Sequence, residues 1–444
     1  MLQTDRRKFL ASTSTAFGGI LLSGCASNTA AVRSMPVANR FGELQTDPEG
    51  VLDLPPGFSY RVISRSGEMM DDGEGVPDAA DGMGCFDIGD GKIALVRNHE
   101  LRPSADNVIA VAPAYDTIAR SLLALPGGTT TIILDAETLE VQEQYRSLAG
   151  TIRNCAGGVT PWNTWLSCEE NTTTVEESEG RLNQNHGYVF EVPANSGGLV
   201  DPQPLRAMGR FNHEAACVDP RTGIVYMTED RGDSLFYRFI PDVPGDLAAG
   251  GTLQALVLDG MQDTRNSEDG TTRLAANVPV PATWITLDNV EAPDDDLRQR
   301  GADRGAAIFA RGEGIWMGDG EMYFTATSGG LAGEGQIFRF TPRPESVDLL
   351  ELFYESPEAA EYSYGDNLVV SPFGDLIVCE DQYGDTVDNY LRGITPAGEA
   401  YAFGRLRLQT EPAGACFSPD GQTLFVNAYS PTMTLAITGP WPTA

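Results

Sequence analysis

Acidic residues recur in this sequence at the ends of short apolar runs. Three pairs of adjacent acids end such runs: Glu169 and Glu170, Glu229 and Asp230, and Glu380 and Asp381. A cysteine, Cys155, begins the run that ends in the first pair. Carboxylate oxygens at this density suit calcium, whereas a thiolate among carboxylates suits iron better. These residue types therefore predict a site for metal ions.

A repeated hairpin would position these residues. In segments 155–170, 214–230 and 366–381 a strand-like run leads through a Pro/Gly turn into a second run that ends in acids, and weaker copies start near residues 82, 313 and 413. A third strand-like run follows each copy. Six small antiparallel sheets predict an all-β fold, a six-bladed β-propeller with inserted loops, most of them within 241–305. A β-sandwich, or two unrelated β-domains, is the alternative.

The first strand of every propeller blade lines the central channel. Aligning the six copies on their turns makes these positions equivalent: Gly82, Cys155, Glu214, Glu313, Asp366 and Ala413. Four consecutive blades then offer a thiolate or a carboxylate to one point on the axis. Carboxylates crowded into a channel repel one another unless cations neutralise them, so the aligned set predicts bound metal ions. Any one of these acids taken singly could instead be a solvated loop residue.

The same residues carry a resemblance to a known family. Residues 154–170, Asn-Cys-Ala-Gly-Gly-Val-Thr-Pro-Trp-Asn-Thr-Trp-Leu-Ser-Cys-Glu-Glu, resemble the signature of the PhoX alkaline phosphatases, as do residues 209–216, 311–314 and the region 379–381. The similarity extends from about residue 50 to residue 430. It implies a six-bladed propeller with an axial site for ferric iron and calcium ions. It also implies hydrolysis of phosphate monoesters, so small phosphorylated molecules are the expected substrates.

The resemblance also implies roles for individual residues. Arg311 would clamp the substrate phosphate through its planar guanidinium, and Arg210 is a second basic candidate, with a structural salt bridge as the alternative. Cys155 would be an iron ligand. The other implied metal ligands are Glu170, Glu214, Glu313, Glu380, Asp366 and Glu100. This chain is shorter than the phosphatases that define the family, so trimmed loops on the substrate side are expected.

Two other functions fit the same scaffold. A calcium-dependent hydrolase of the lactonase kind would need calcium alone and would not need Cys155. A non-enzymatic, calcium-stabilised surface propeller would bind a partner and hydrolyse no ester. Arg311 beside the acidic residues favours an anionic substrate and hence the phosphatase.

The N-terminus reads as an export signal. Asp5-Arg6-Arg7-Lys8-Phe9-Leu10 is a twin-arginine signature, and an apolar stretch follows it to Leu22. The lipobox Leu22-Ser23-Gly24-Cys25 predicts a lipid anchor on Cys25 as the sole membrane attachment, with ordinary cleavage nearby as the alternative. The predicted organisation is a signal at 1–24, a linker at 25–50 and a single propeller domain at 51–444. The expected product is a monomeric periplasmic or outer-membrane-tethered lipoprotein.

Composition excludes several classes of function. The chain has 63 Asp and Glu against 30 Lys and Arg, a net charge of −33, which argues against a polymeric nucleic acid as ligand. The six cysteines after Cys25 contain no CxxC pair, so a zinc ribbon or a redox motif is not indicated. Only three histidines occur, which nearly excludes a site built on imidazole.

Overall fold

The computed structural model describes residues 40–104, 106–266 and 273–442. The predicted export signal and Cys25 lie outside these residues. The described residues form one compact unit. In the described part of the chain, no helix is both long enough and apolar enough to cross a bilayer.

The regular secondary structure of the described residues is almost entirely β-strand. The strands up to the first acidic hairpins are β1 (Leu52–Asp53), β2 (Ser59–Arg65), β3 (Ala80–Gly89), β4 (Lys92–His99), β5 (Gly127–Asp135), β6 (Val141–Thr151), β7 (Asn154–Val159), β8 (Thr164–Glu169) and β9 (Val189–Pro193). The central strands are β10 (His213–Val218), β11 (Val225–Glu229), β12 (Ser234–Leu235), β13 (Tyr237–Val243), β14 (Asp246–Leu258), β15 (Val280–Thr286), β16 (Ile308–Phe309), β17 (Gly312–Met317), β18 (Met322–Ala326), β19 (Gln336–Thr341) and β20 (Asp348–Glu355). The last strands are β21 (Gly365–Val370), β22 (Leu376–Glu380), β23 (Tyr390–Ile394), β24 (Ala400–Leu406), β25 (Pro412–Phe417), β26 (Thr423–Ala428) and β27 (Met433–Thr438). One α-helix, α1 (Leu297–Asp303), and a 3-10 helix at Arg206–Met208 complete the set.

The strands form small antiparallel sheets of consecutive strands. These are β3-β4-β5-β6, β7-β8-β9, β21-β22-β23-β24 with β1 at the edge, and β25-β26-β27 with β2 at the edge. Strands β1 and β2 come from the N-terminal side of the chain and pair with β24 and β27 near its C-terminus. Pairing of the two ends closes a circular arrangement of sheets.

A nine-stranded sheet replaces separate blades in the middle of the chain. Its order is β10-β11-β13-β14-β15-β20-β19-β18-β17. Strand β15 pairs with β14 on one side and with β20 on the other, so it bridges two four-stranded hairpin units. The sequence predicted inserted loops for 241–305, but much of this interval folds into β14, β15 and α1.

The first strand of each hairpin faces a common centre. Strands β3, β7, β10, β17, β21 and β25 contact one another in this order, and β25 contacts β3 to close the ring. Apolar side chains pack between neighbouring hairpin units, as in the cluster of Phe236, Phe324 and Phe340. The fold is therefore all-β with a propeller-like arrangement, as the sequence predicts.

Glycines allow the inner strands to approach closely. A Cβ atom on Gly158 in β7 would lie 1.9 Å from the carbonyl oxygen of Ala216 in β10. Similarly, a Cβ atom on Gly82 would lie 2.5 Å from the Cα atom of Ala156. These contacts are between backbones, so no side-chain rearrangement can relieve them. Small residues are therefore required where the strands crowd the axis.

We expect Gly158→Ala to lower the free energy of unfolding by about 3 kcal/mol, because the added methyl group forces two inner strands apart. Urea unfolding followed by fluorescence measures this change. The control is Gly232→Ala, since a Cβ atom there meets nothing within 4 Å. Equal unfolding midpoints for the two variants would contradict the expected crowding at the ring.

Candidate metal centre

A β-bulge lies near the start of every inner strand. The pairing register shifts within residues 80–83, 154–157, 213–216, 312–315, 365–368 and 413–416. A bulge inserts one extra residue and redirects the side chains next to it. The residues at the equivalent position of the six bulges are Asp81, Cys155, Glu214, Glu313, Asp366 and Ala413. The sequence alignment was therefore one residue off in the first copy, where Asp81 and not Gly82 takes the position.

The residues that follow the second strands form a second layer of polar side chains. These residues are Glu100, Glu170, Asp230, Thr327, Asp381 and Tyr429. Glu100 accepts a hydrogen bond from the Tyr429 hydroxyl at 2.7 Å. Asp230 instead accepts hydrogen bonds from Arg311. The hairpin repeat therefore delivers two layers of oxygen ligands to one region.

The ligand atoms converge in three overlapping groups. In each group the three atoms lie within 4.8 Å of one another; the groups are Asp81, Glu100 and Cys155; Cys155, Glu170 and Glu214; and Glu214, Glu313 and Asp366. Cys155 and Glu214 each belong to two groups, so the cluster is continuous. The Cys155 thiol donates to Asp81 Oδ2 at 3.3 Å. The structure thus brings together six of the seven predicted metal ligands and adds Asp81.

Several of these carboxylate oxygens have no partner. Both oxygens of Glu214 are buried and form no hydrogen bond with any described residue, and the same is true of Asp81 Oδ1. Asp381, beside the cluster, also has an unpartnered buried oxygen, Oδ1. A buried carboxylate without a hydrogen bond or a counter-charge is strongly unfavourable. The donor set therefore fits metal ions, which supply positive charge and accept these lone pairs.

The raised pKa values of the clustered side chains also indicate bound cations. Burial, followed by the charge of Glu313, raises the pKa of Glu214 well above its ordinary value. Burial and the charge of Asp366 do the same to the pKa of Asp81. Burial and the charge of Asp81 also raise the pKa of the Cys155 thiol. A bound cation would reverse these shifts, because it stabilises the deprotonated form of each ligand.

Two arginines flank the cluster at equivalent positions. Arg153 and Arg311 each lie two residues before a ligand of an inner strand, and each has left-handed backbone, with φ of 49° and 56°. Arg153 forms ion pairs with Glu100 and Glu170. Strained backbone of this kind is sparsely populated in non-glycine residues and concentrates at functional sites. Arg311 was predicted as a site residue from the sequence, whereas Arg153 was not, although it directly precedes the Asn154-Cys155 motif.

The contacts of Arg311 hold its guanidinium beside the ligands. Its Nε and Nη2 donate to the two oxygens of Asp230 at 2.8 and 2.9 Å. Its Nη2 also donates to Glu313 Oε1 at 2.9 Å. The Nη1 group makes no hydrogen bond to the described residues, and the side chain stays 34% exposed. The guanidinium of Arg311 is thus fixed by Nε and Nη2 on one edge, and Nη1 on the other edge is open to a ligand.

Glu380 is the predicted ligand that the structure places elsewhere. It pairs with Arg392 at 2.7 Å and accepts hydrogen bonds from the backbone N–H groups of Ser363 and Tyr390. Glu380 lies opposite Gly365 in the sheet, so its side chain points into the blade. The next residue, Asp381, takes the position equivalent to Glu170.

Arg210, the second basic candidate, has a structural role. It is 1% exposed. Its guanidinium donates to the backbone carbonyl oxygens of Thr172, His186, Glu291, Ala292 and Pro293. It therefore joins loops through carbonyl groups and not through the salt bridge considered from the sequence.

A buried ion-pair network lies next to the cluster, at the end of β8. His186 lies between Glu169 at 2.6 Å and Asp116 at 3.4 Å. Burial lowers the pKa of His186, but the charge of Glu169 and the hydrogen bond with Asp116 outweigh it and raise the pKa to about 9. The protonated imidazole therefore holds the loop containing Asp116 against the end of β8, next to Glu170.

We expect this network to stabilise the protein only while His186 is protonated. Its folded-state pKa exceeds the unfolded value of about 6.5, so the contribution, on the order of 3 kcal/mol, is complete below about pH 6.5. It is lost as the pH rises through about 9. The difference in unfolding free energy between wild type and His186→Gln should therefore shrink between pH 6.5 and pH 10 in urea titrations.

His213→Gln is the matched control for this prediction. Burial lowers the pKa of His213 to about 3, so this side chain is neutral over the same range. The effect of its replacement should not change with pH. A pH-independent effect of His186→Gln as well would show that the imidazole is not charged in the folded protein.

Residues 39–432 match the family model described as Alkaline phosphatase PhoX. A search of curated proteins found no match. The structure of Pseudomonas fluorescens PhoX in complex with vanadate, a transition state analogue, shares the fold with a TM-score of 0.64 and 17% identity, over 88% of this chain and 96% of that chain.

A gluconolactonase from Xanthomonas campestris is a more distant structural neighbour. It gives a TM-score of 0.43 and 13% identity over 91% of this chain and 92% of that chain. The family match, by contrast, spans most of the sequence and includes every residue of the acidic cluster. The chain therefore belongs to the PhoX family of alkaline phosphatases, a metal-dependent family of phosphatases, as its sequence predicts.

Proposed function

We propose that this protein hydrolyses phosphate monoesters at the acidic cluster and that the cluster binds iron together with calcium. The observation that carries the proposal is Glu214, whose two buried oxygens lack any partner among the described residues while two groups of potential ligands meet at its carboxylate. Membership of the alkaline phosphatase family supplies the reaction. The vanadate complex of the Pseudomonas protein supports a phosphoryl-transfer reaction on this fold.

The donor atoms suggest how the metals are distributed. Cys155 offers a thiolate to the groups on either side of it, which favours iron near Cys155, Glu170 and Glu214. Asp81, Glu100, Glu313 and Asp366 offer only oxygen, which favours calcium. When bound, such ions neutralise the charge of phosphoryl oxygens and orient the groups that react.

Arg311 is the side chain best placed to bind the phosphate. Asp230 and Glu313 fix its guanidinium plane, and Nη1 remains for a phosphate oxygen. A guanidinium held in advance loses little freedom when the substrate binds and stabilises charge that develops on the phosphoryl group. The role of Arg311 is therefore electrostatic, and the acidic cluster provides the rest of the site.

We also propose six blades and an exported, monomeric, lipid-anchored protein. The ring of inner strands supports the blade count if the nine-stranded sheet is taken as two blades bridged by β15. The twin-arginine and lipobox motifs support export and anchoring at Cys25. Mass spectrometry of the membrane-extracted protein tests the anchor, because a diacylated Cys25 would be the first residue of the mature chain.

Elemental analysis and a phosphatase assay on the same purified sample test the proposed function. We expect iron and calcium, with p-nitrophenyl phosphate hydrolysis that is lost on metal removal and regained on reconstitution. Calcium without iron, together with no phosphate release, would reject the proposal. A lactonase assay and the effect of chelation on thermal stability would then separate the hydrolase and binding-propeller alternatives.

A further inference from the structure

A large cavity is lined by residues that lie close in sequence to those of the acidic cluster. Its volume is about 770 Å³, and its wall includes Arg102, Ile152 and Asn171. Arg102 lies two residues after Glu100, and Asn171 directly follows Glu170, so this wall continues the chain segments that carry two candidate ligands. Ile152 likewise directly precedes Arg153. A molecule bound at the cluster would therefore have this cavity within reach.

Most of the accessible surface of the cavity is apolar, and a buried apolar cluster lies beneath it. Leu125, Ile152 and Leu182 form a buried cluster of their own, and Ile118 packs against it. Hydrogen bonds join the two loops that supply these residues. The Ala119 N–H donates to the Arg181 carbonyl at 2.9 Å, and Asp116 accepts from the backbone N–H groups of residues 183 and 184. The cavity is thus formed in the absence of a ligand.

Three arginines surround this apolar surface: Arg102, Arg120 and Arg181. All three are exposed, and none forms an ion pair with a carboxylate in the described part of the chain. Two acids, Glu177 and Glu179, also line the cavity, so its lining side chains carry one more positive than negative charge. In a chain with a net charge of −33, a cavity whose lining carries a net positive charge differs in sign from the chain as a whole.

We propose that this cavity binds the leaving-group part of the substrate and selects monoesters whose alcohol has an apolar body with a second anionic group. This inference rests on the proposed phosphatase function of the neighbouring cluster. The apolar surface takes up the body of the alcohol, and the arginines bind its second anion. The cluster and Arg311 bind the phosphate that is removed.

A pair of substrates of the same shape isolates the second anion. These are 3-(carboxymethyl)phenyl phosphate and its neutral amide, 3-(carbamoylmethyl)phenyl phosphate, in which the methylene group keeps the two phenols similar as leaving groups. A charge-assisted hydrogen bond is worth about 1.5–3 kcal/mol. We therefore expect the metal-loaded wild type to have a kcat/KM at least about 10-fold higher for the acid than for the amide.

Substitution of the arginines should remove this preference. In R102Q/R181Q, the ratio of the two kcat/KM values should fall to about one if charge-assisted hydrogen bonds create it. The control R61Q/R343Q makes the same change in net charge at arginines that do not line the cavity, and it should keep the wild-type ratio. A wild-type ratio near one, or equal ratios in the two double variants, would overturn the proposal.

A binding measurement separates this inference from the proposed function. Hydrolysis of p-nitrophenyl phosphate tests the phosphatase alone. If no ester is hydrolysed, the proposed function fails, and saturation-transfer NMR with the free alcohols, 3-hydroxyphenylacetate and its amide, still tests the cavity. Binding of the acid that exceeds binding of the amide in wild type, and that R102Q/R181Q abolishes, supports the cavity as an anion-selective site. Equal binding of acid and amide rejects it.

Discussion

Glu214→Gln is expected to deplete the channel of metal and to reduce kcat/KM for p-nitrophenyl phosphate by at least about 1,000-fold. The activity falls because the lost metal ions supply the main electrostatic stabilisation of the reaction. Glu214 belongs to two of the three ligand groups and has no partner among the described residues. Its amide keeps the shape but loses the negative charge and one of the ligand oxygens. Elemental analysis and steady-state kinetics on the same sample measure the two effects.

The stability of the same variant should change in opposite directions with and without metal. In the metal-free protein, burial and the charges of Glu313 and Asp366 raise the pKa of Glu214, so at neutral pH this carboxyl destabilises the folded state. We therefore expect Glu214→Gln to unfold at a higher urea concentration than wild type. In the metal-loaded protein it should unfold at a lower one. A simple folding defect would lower stability in both states, so the reversal identifies the metal site.

Glu229→Gln is the matched control for Glu214→Gln. Glu229 ends the second strand of the same hairpin, but it accepts a hydrogen bond from the Tyr237 hydroxyl at 2.7 Å inside the blade. This variant should keep its metal content and activity. Metal loss in Glu229→Gln, or full metal content in Glu214→Gln, would contradict the placement of the metal centre at the bulged ring.

The sequence predicted the hairpin repeat, the all-β class, the family and most of the cluster, because turn residues and paired acids mark each copy. Two predicted channel positions were wrong by one residue. At both places the local backbone decides which side chain faces the channel. The bulge in β3 presents Asp81 instead of Gly82. Strand alternation turns Glu380 into the blade and leaves Asp381 near the cluster. A bulge depends on pairing between two strands, so the composition of one strand does not reveal it.

Pairing between strands that are distant in the chain could also not be predicted from the sequence. Strand β15 (Val280–Thr286) lies in the interval 241–305, for which the sequence predicted inserted loops because the copies are unevenly spaced and the loops there are rich in Asp and Gly. Only the free edges of β14 and β20 create a partner for it. The same limit applies to Arg153, whose importance depends on Glu100 and Glu170 arriving from two different strands.

Arg311→Lys is expected to lower kcat/KM for p-nitrophenyl phosphate by about 100-fold while metal content stays unchanged, because a lysine ammonium cannot replace the guanidinium fork. The wild-type side chain holds Asp230 through two donors and keeps Nη1 for the phosphate. A lysine that pairs with Asp230 or Glu313 has no planar edge left for the substrate. Inorganic phosphate, as a product inhibitor, should also bind the variant more weakly.

Arg392→Lys makes the same chemical change in another buried pair. Arg392 binds Glu380, which the structure separates from the ligand groups, so this variant should lose stability but keep kcat/KM and phosphate inhibition. If Arg311→Lys stayed within about threefold of wild type, a change too small for the loss of a charge-assisted hydrogen bond, Arg311 would only neutralise Asp230 and Glu313. The comparison of the two variants therefore separates an arginine that binds the substrate from one that balances buried charge. Only the first role requires both the open Nη1 and the fixed guanidinium plane.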